Sequence, residues 1–159
     1  MKEIFLCSDK LDKYQSMGEN GQAVYISALQ LRETLRLRKQ TAVADTLAIP
    51  QISEHGDRID WYAPLAGDVI PWTAATEAER QAALAQLETT HAAFRQISNE
   101  FAQSQQPERR LFGKLLEKAM QFPDQQHVWL VGGKPVISFW GFVNATNQAR
   151  IEPIDCLRP

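Results

Sequence analysis

The stretch from Thr76 to Gln103 constrains the fold more than any other part of this chain. Thr76, followed three residues later by Glu79, has the spacing of a capping box, in which a hydroxyl and a carboxylate each take up a free amide at a helix start. Leu84, Leu87, His91, Phe94, Ile97 and Phe101 then recur at spacings of three and four, which predicts one long amphipathic helix from about Glu77 to Gln103. Such a helix must bury its apolar stripe against another layer. Ser104-Gln105-Gln106-Pro107 ends it. Pro107 is suited to open the next helix, because the amide it lacks has no intrahelical partner at that position. Leu111, Leu115 and Ala119 give this second helix its stripe, and Pro123-Asp124 closes it.

Upstream, Ile4 to Cys7 reads as a short strand or extended arm, and Ser16-Met17-Gly18-Glu19-Asn20-Gly21 breaks it. Asn20 is a candidate N-cap for a helix starting near Gly21. Val24, Ala28, Leu31 and Leu35 form its buried stripe, and Pro50 bounds it. Arg32, Arg36 and Lys39 fall on one face of this helix and read as a solvated side, with Glu33 interleaved. From Ile52 to Tyr62 a Gly56-Asp57 turn between two extended runs predicts a hairpin, with Ile59 and Trp61 on one face and Asp60 and Tyr62 on the other. Pro64, Gly67 and Pro71 make the following connection irregular.

The clearest strand pair is C-terminal, His127 to Val131 and Val136 to Val143 around Gly132-Gly133-Lys134-Pro135. Pairing Val131 with Val136 puts Val128, Leu130, Ile137 and Phe139 on one wholly apolar face. The other face then carries His127, Trp129, Val131, Val136, Ser138, Trp140 and Phe142. Strands and helices are segregated, with no βαβ repeat, so the expected fold class is α+β. It is expected as an antiparallel sheet of four or five short strands, two hairpins among them, packed with three helices in a single domain spanning residues 1–159.

Composition matters mainly for what it excludes. At 159 residues, 44% hydrophobic and 23% charged, the chain has enough apolar material for one core and lies outside the regime of disorder. Its 17 basic and 19 acidic side chains leave a formal charge of −2, so no general field draws it to nucleic acid. No apolar run reaches the roughly 18 residues that span a bilayer, and the N-terminal apolar run is too short for a signal peptide. Cys7 and Cys156 are not a disulfide framework, so a reducing, cytoplasmic setting is expected.

Few residues carry the spacing that catalysis or metal binding needs. Glu88-Thr89-Thr90-His91 is a single Glu-x-x-His pair, whereas di-iron bundles use two with two further glutamates, and His91 sits on the apolar stripe. Cys7, His55, His127 and Cys156 have no mutual ligand spacing. Gly132-Gly133-Lys134 runs into Pro135 and β-branched residues, so it is a turn rather than a phosphate loop leading into a helix. No cofactor, metal or catalytic set is expected. The open feature is aromatic: of four tryptophans, Trp129 and Trp140 share the mixed face of the C-terminal hairpin with His127 and Phe142. A buried histidine and serine would each need a hydrogen-bond partner, so part of this face is expected to be accessible and to bind protein.

Several stretches resemble the N-terminal region of the SrfA-type virulence proteins of bacteria. They are Gly18-Glu19-Asn20-Gly21-Gln22, Ser27 to Arg38, Gly56-Asp57-Arg58-Ile59-Asp60-Trp61-Tyr62-Ala63-Pro64, Leu130 to Val136 with Phe139-Trp140-Gly141-Phe142, and Asp155-Cys156-Leu157-Arg158-Pro159. The resemblance implies bacterial origin, an association with virulence, and a larger parent protein continuing beyond Pro159. It brings no catalytic residues to positions here. The leading expectation is therefore a non-enzymatic protein-interaction module with an unidentified protein partner. The alternative is an enzyme or a small-ligand or metal binder with a site assembled from His55, His91, His127, Glu88 and Cys7.

Overall fold

A computed structural model describes residues 4–19, 21–144 and 153–158. The chain order is β1 (Ile4–Lys10), β2 (Tyr14–Ser16), β3 (Gly18–Glu19), β4 (Gln22–Ala23), α1 (Ala28–Leu37), α2 (Thr41–Ala44), β5 (Ile49–Ile52), β6 (Arg58–Ala63), β7 (Val69–Pro71), α3 (Glu77–Ala102), α4 (Pro107–Ala119), β8 (Val128–Val131), β9 (Lys134–Ile137) and β10 (Phe142–Asn144). The class is α+β with antiparallel strand pairing. The strands divide among four small sheets, ordered β1-β6-β5, β10-β2, β3-β4 and β7-β8-β9.

The two helices with the strongest sequence signals form as read. The Thr76 hydroxyl accepts from the Glu79 amide while the Glu79 carboxylate accepts from the Thr76 amide, closing the capping box of α3. Pro107 occupies the first turn of α4. The two helices pack together where Gly113 lets backbones approach: a Cβ there would lie 2.7 Å from the Ala102 nitrogen, and the Ser98 hydroxyl donates to the Gly113 carbonyl at 2.8 Å.

α1 starts later than expected. Gly21 turns the β3–β4 hairpin at φ 78°, and a 3-10 turn, Val24–Ser27, precedes the helix. The proposed cap Asn20 lies outside the described residues. The stripe Val24, Ala28, Leu31 and Leu35 is fully buried. Arg32 departs from the solvated face on which sequence put it. It is buried, donating from Nε to the Leu47 carbonyl and from Nη2 to the Ala44 carbonyl, so it ties α1 to the end of α2. The helix stops at Leu37, well before Pro50, which lies in β5 opposite Trp61.

Both expected hairpins exist, with different outcomes. In β5–β6 the inner residues Ile59, Trp61 and Ala63 alternate with half-buried Asp60 and Tyr62. In β8–β9 the turn holds only Gly132 and Gly133, both at positive φ (57° and 83°), so Val131 pairs with Lys134 and Trp129 with Val136. The expected partner of Val131 was Val136. A two-residue turn of this kind suits the strand twist, and glycine enters both of its positive-φ positions without strain. The shift is by two residues, so each side chain keeps its face.

The second strand also ends sooner. It stops at Ile137, and the chain turns through Ser138–Gly141, with Phe139 at φ 53° and Gly141 at φ 81°, before β10 pairs with β2. At Gly141 a Cβ would lie 2.7 Å from Val24 Cγ1, so the turn fits only where the side chain is absent. This turn carries Phe139 and Trp140 onto the inner side of the first sheet, where Trp61 meets the rings of Phe139 and Trp140 at 5.4 and 5.9 Å.

Candidate functional site

The mixed face of the C-terminal hairpin was the expected contact surface, and its accessibility needs correction. Trp140 is fully buried, with its indole N–H donating to the Ala48 carbonyl at 2.8 Å. Phe142 is fully buried and stacks on Tyr25 with ring centroids 5.4 Å apart. His127 is buried as well, and Trp129 is half-buried. Neither Trp140 nor Phe142 has surface to offer a partner in this fold. The physical reason is the Ser138–Gly141 turn, which folds the aromatic run back into the core instead of extending it as a strand.

The expectation rested on the need of buried His127 and Ser138 for partners, and they find each other. Ser138 Oγ lies 3.3 Å from His127 Nδ1 and within reach of the His127 carbonyl, and it accepts from the Trp129 indole N–H at 3.1 Å and from the Cys7 thiol at 3.4 Å. On the far side of the ring, His127 Nε2 lies 2.8 Å from the Tyr14 hydroxyl. Strands β1, β2, β8 and the end of β9 thus converge on one polar cluster. Ser138 was named from the alternation, but Tyr14 was missed. It lies 113 positions from His127, and nothing local marks it.

The cluster brings together two members of the alternative pool, Cys7 and His127, with a serine between them. Its electrostatics run against nucleophilic chemistry. Burial pushes the Cys7 thiol up from its ordinary value, with Asp9 and Asp60 adding to the effect and the Ser138 hydrogen bond opposing it. Burial brings His127 down to about 4, so the imidazole is neutral at neutral pH. Tyr14 is raised by burial too. Ser138 has no exposed surface. A nucleophile needs access and an activated form, and here the thiol stays protonated and the hydroxyl enclosed.

The other members of the pool lie elsewhere. His55 is exposed on the β5–β6 turn. Glu88 and buried His91 belong to α3, beside a groove shared with Arg95, Asn99 and Arg158, where Arg158 lies 3.8 Å from Glu88. Among the described residues no group of three or more His, Cys, Asp or Glu side chains is placed to hold a metal ion.

A different surface comes forward. Ile26, Leu29 and Leu37 are 62%, 62% and 75% exposed, three large apolar side chains on the outward side of α1 and its entry turn. With Glu33 midway between Leu29 and Leu37, they lie opposite the buried stripe. The signal was present in the sequence, since all three are apolar residues off the stripe that sequence assigned to the core. Comparison with protein-family models, with curated proteins and with solved structures finds no match in any of the three. The resemblance to the SrfA-type proteins therefore rests on the quoted stretches alone.

Proposed function

We propose that this chain is a non-enzymatic protein-interaction module whose contact face is the outward side of α1. The observation that carries the reading is the exposure of Ile26, Leu29 and Leu37 on one short segment. Arg36, Arg38 and Lys39 surround Leu37, and the carboxylates paired with the arginines, Glu33 and Glu100, are themselves exposed. Surface ion pairs of this kind are worth little and exchange readily with a partner's carboxylates. The partner that fits is a polypeptide segment presenting apolar side chains flanked by Asp or Glu. If the resemblance to the SrfA-type proteins holds, this activity belongs to a bacterial, virulence-associated protein, and two cysteines not joined in a disulfide, Cys7 and Cys156, suit a reducing cytoplasm.

The test compares the protein with a Leu29→Ser/Leu37→Ser double variant in proximity labelling within a bacterial host. The expected result is a set of neighbours, carrying acidic apolar segments, that the variant loses while its thermal midpoint stays unchanged. Identical labelling by both proteins would remove the face from consideration. The alternative, an enzyme, draws its support from the Tyr14–His127–Ser138–Cys7 cluster, and the enclosure and protonation state of that cluster favour a structural role.

A further inference from the structure

A cleft of about 450 Å³ lies between the end of α2, the middle of α3 and the start of β9. That volume is in the range of small-molecule sites. Its walls are fixed. The Ile137 amide donates to the Thr46 carbonyl at 2.8 Å and the Ala48 amide to the Ile137 carbonyl at 3.0 Å, fastening the residues after α2 along β9. On the opposite side stand Ala82, Ala85, Gln86, Thr89 and Thr90 of α3, held in register by the capped helix.

The lining has an apolar part, including Leu65, Ala85 and Pro135, and a polar part of both signs. Asp45 comes from the α2 side, where its charge also acts on the buried Arg32 guanidinium, and Lys134 from the β9 side; neither is within ion-pair distance of an opposite charge among the described residues. The Gln86 amide and the Thr90 hydroxyl also have no side-chain hydrogen bond among the described residues. The Thr46 and Thr89 hydroxyls, by contrast, donate to the Ala42 and Ala85 carbonyls. A site that sets a carboxylate, an ammonium, an amide and a hydroxyl beside an apolar surface complements a small molecule carrying both charges on a short apolar body.

We infer that this cleft binds a small aliphatic zwitterion, a free α-amino acid or a short peptide, with Asp45 facing its ammonium and Lys134 its carboxylate. The site is separate from the α1 face and stands or falls without it. The test is a titration followed by amide NMR at Thr46, Gln86, Thr90 and Lys134, using L-leucine, L-leucyl-L-leucine, N-acetyl-L-leucine and L-leucinamide as probes. One of the two zwitterions is expected to shift these signals saturably below about 10 mM, and which of them does so decides between amino acid and peptide. Blocking either end should weaken binding about tenfold. Asp45→Asn should erase the preference for the free amine, and Lys134→Gln the preference for the free carboxylate. Lys134 is exposed and Asp45 half-buried with its charge acting on Arg32, so matching thermal midpoints are required of both variants before their binding is compared. Absence of shifts with both zwitterions at about 10 mM overturns the inference. So do shifts that neither substitution alters, which would mark an apolar crevice only.

Discussion

The two hairpins, the C-terminal one carrying the clearer sequence signal, ended in different environments. In β5–β6 one face is core and the other is half open, the ordinary condition of an antiparallel sheet. In β8–β9 one face is wholly buried, with Val128, Leu130 and Ile137, and the other is largely covered, with Val131 and Val136 enclosed, Trp129 half-buried and Lys134 exposed beside the turn. Alternation assigns side chains to faces. It does not say whether the second face is covered. Here the cover comes from the inner side of the β1-β6-β5 sheet and from α3, which packs against β9.

The sharpest way to break this contrast is at the indoles. Trp140→Ala should destabilise the protein by about 3–5 kcal/mol, because it removes a fully buried ring and leaves the Ala48 carbonyl without its donor. Denaturant unfolding measures this directly, and a loss under about 1 kcal/mol would return Trp140 to the surface.

A second difference lies in the polar cluster under the C-terminal hairpin. Folding lowers the His127 value from 6.5 to about 4, so the unfolded chain binds the proton more readily. Stability should be complete above pH 6.5 and fall as pH drops toward 4, by about 3 kcal/mol in all. His127→Gln should flatten that part of the pH dependence, as seen in unfolding midpoints at pH 7 and 4.5. An unchanged slope would mean that the imidazole does not carry it.

The two fully buried indoles facing each other allow a finer comparison. Trp140 Nε1 has an acceptor, whereas Trp61 Nε1 is buried with none among the described residues. Replacing each with Phe removes similar volume, but only Trp140→Phe strands a carbonyl. It should therefore cost about 1–3 kcal/mol more than Trp61→Phe. Equal losses would indicate that Trp61 has a partner in solution. At the small end, Leu29→Ser and Leu37→Ser should each stay within about 0.5 kcal/mol of the parent, since both side chains already face water.

Local features were legible along the chain. Thr76 with Glu79 set the start of α3, Pro107 the start of α4, and period-two alternation the inward set Ile59 and Trp61. These signals depend on hydrogen bonds and side-chain periods within a few residues, so they can be read without knowing the rest of the molecule. Tertiary structure decided where the aromatic run of residues 138–142 goes, because that depends on Phe139 and Gly141 adopting positive φ beneath Val24, more than a hundred positions away. It also decided that Arg32 is buried on the carbonyls of Ala44 and Leu47, and that Ser138, His127, Tyr14 and Cys7 satisfy one another. Burial and long-range pairing are properties of what covers a residue, and no spacing along the chain encodes the cover.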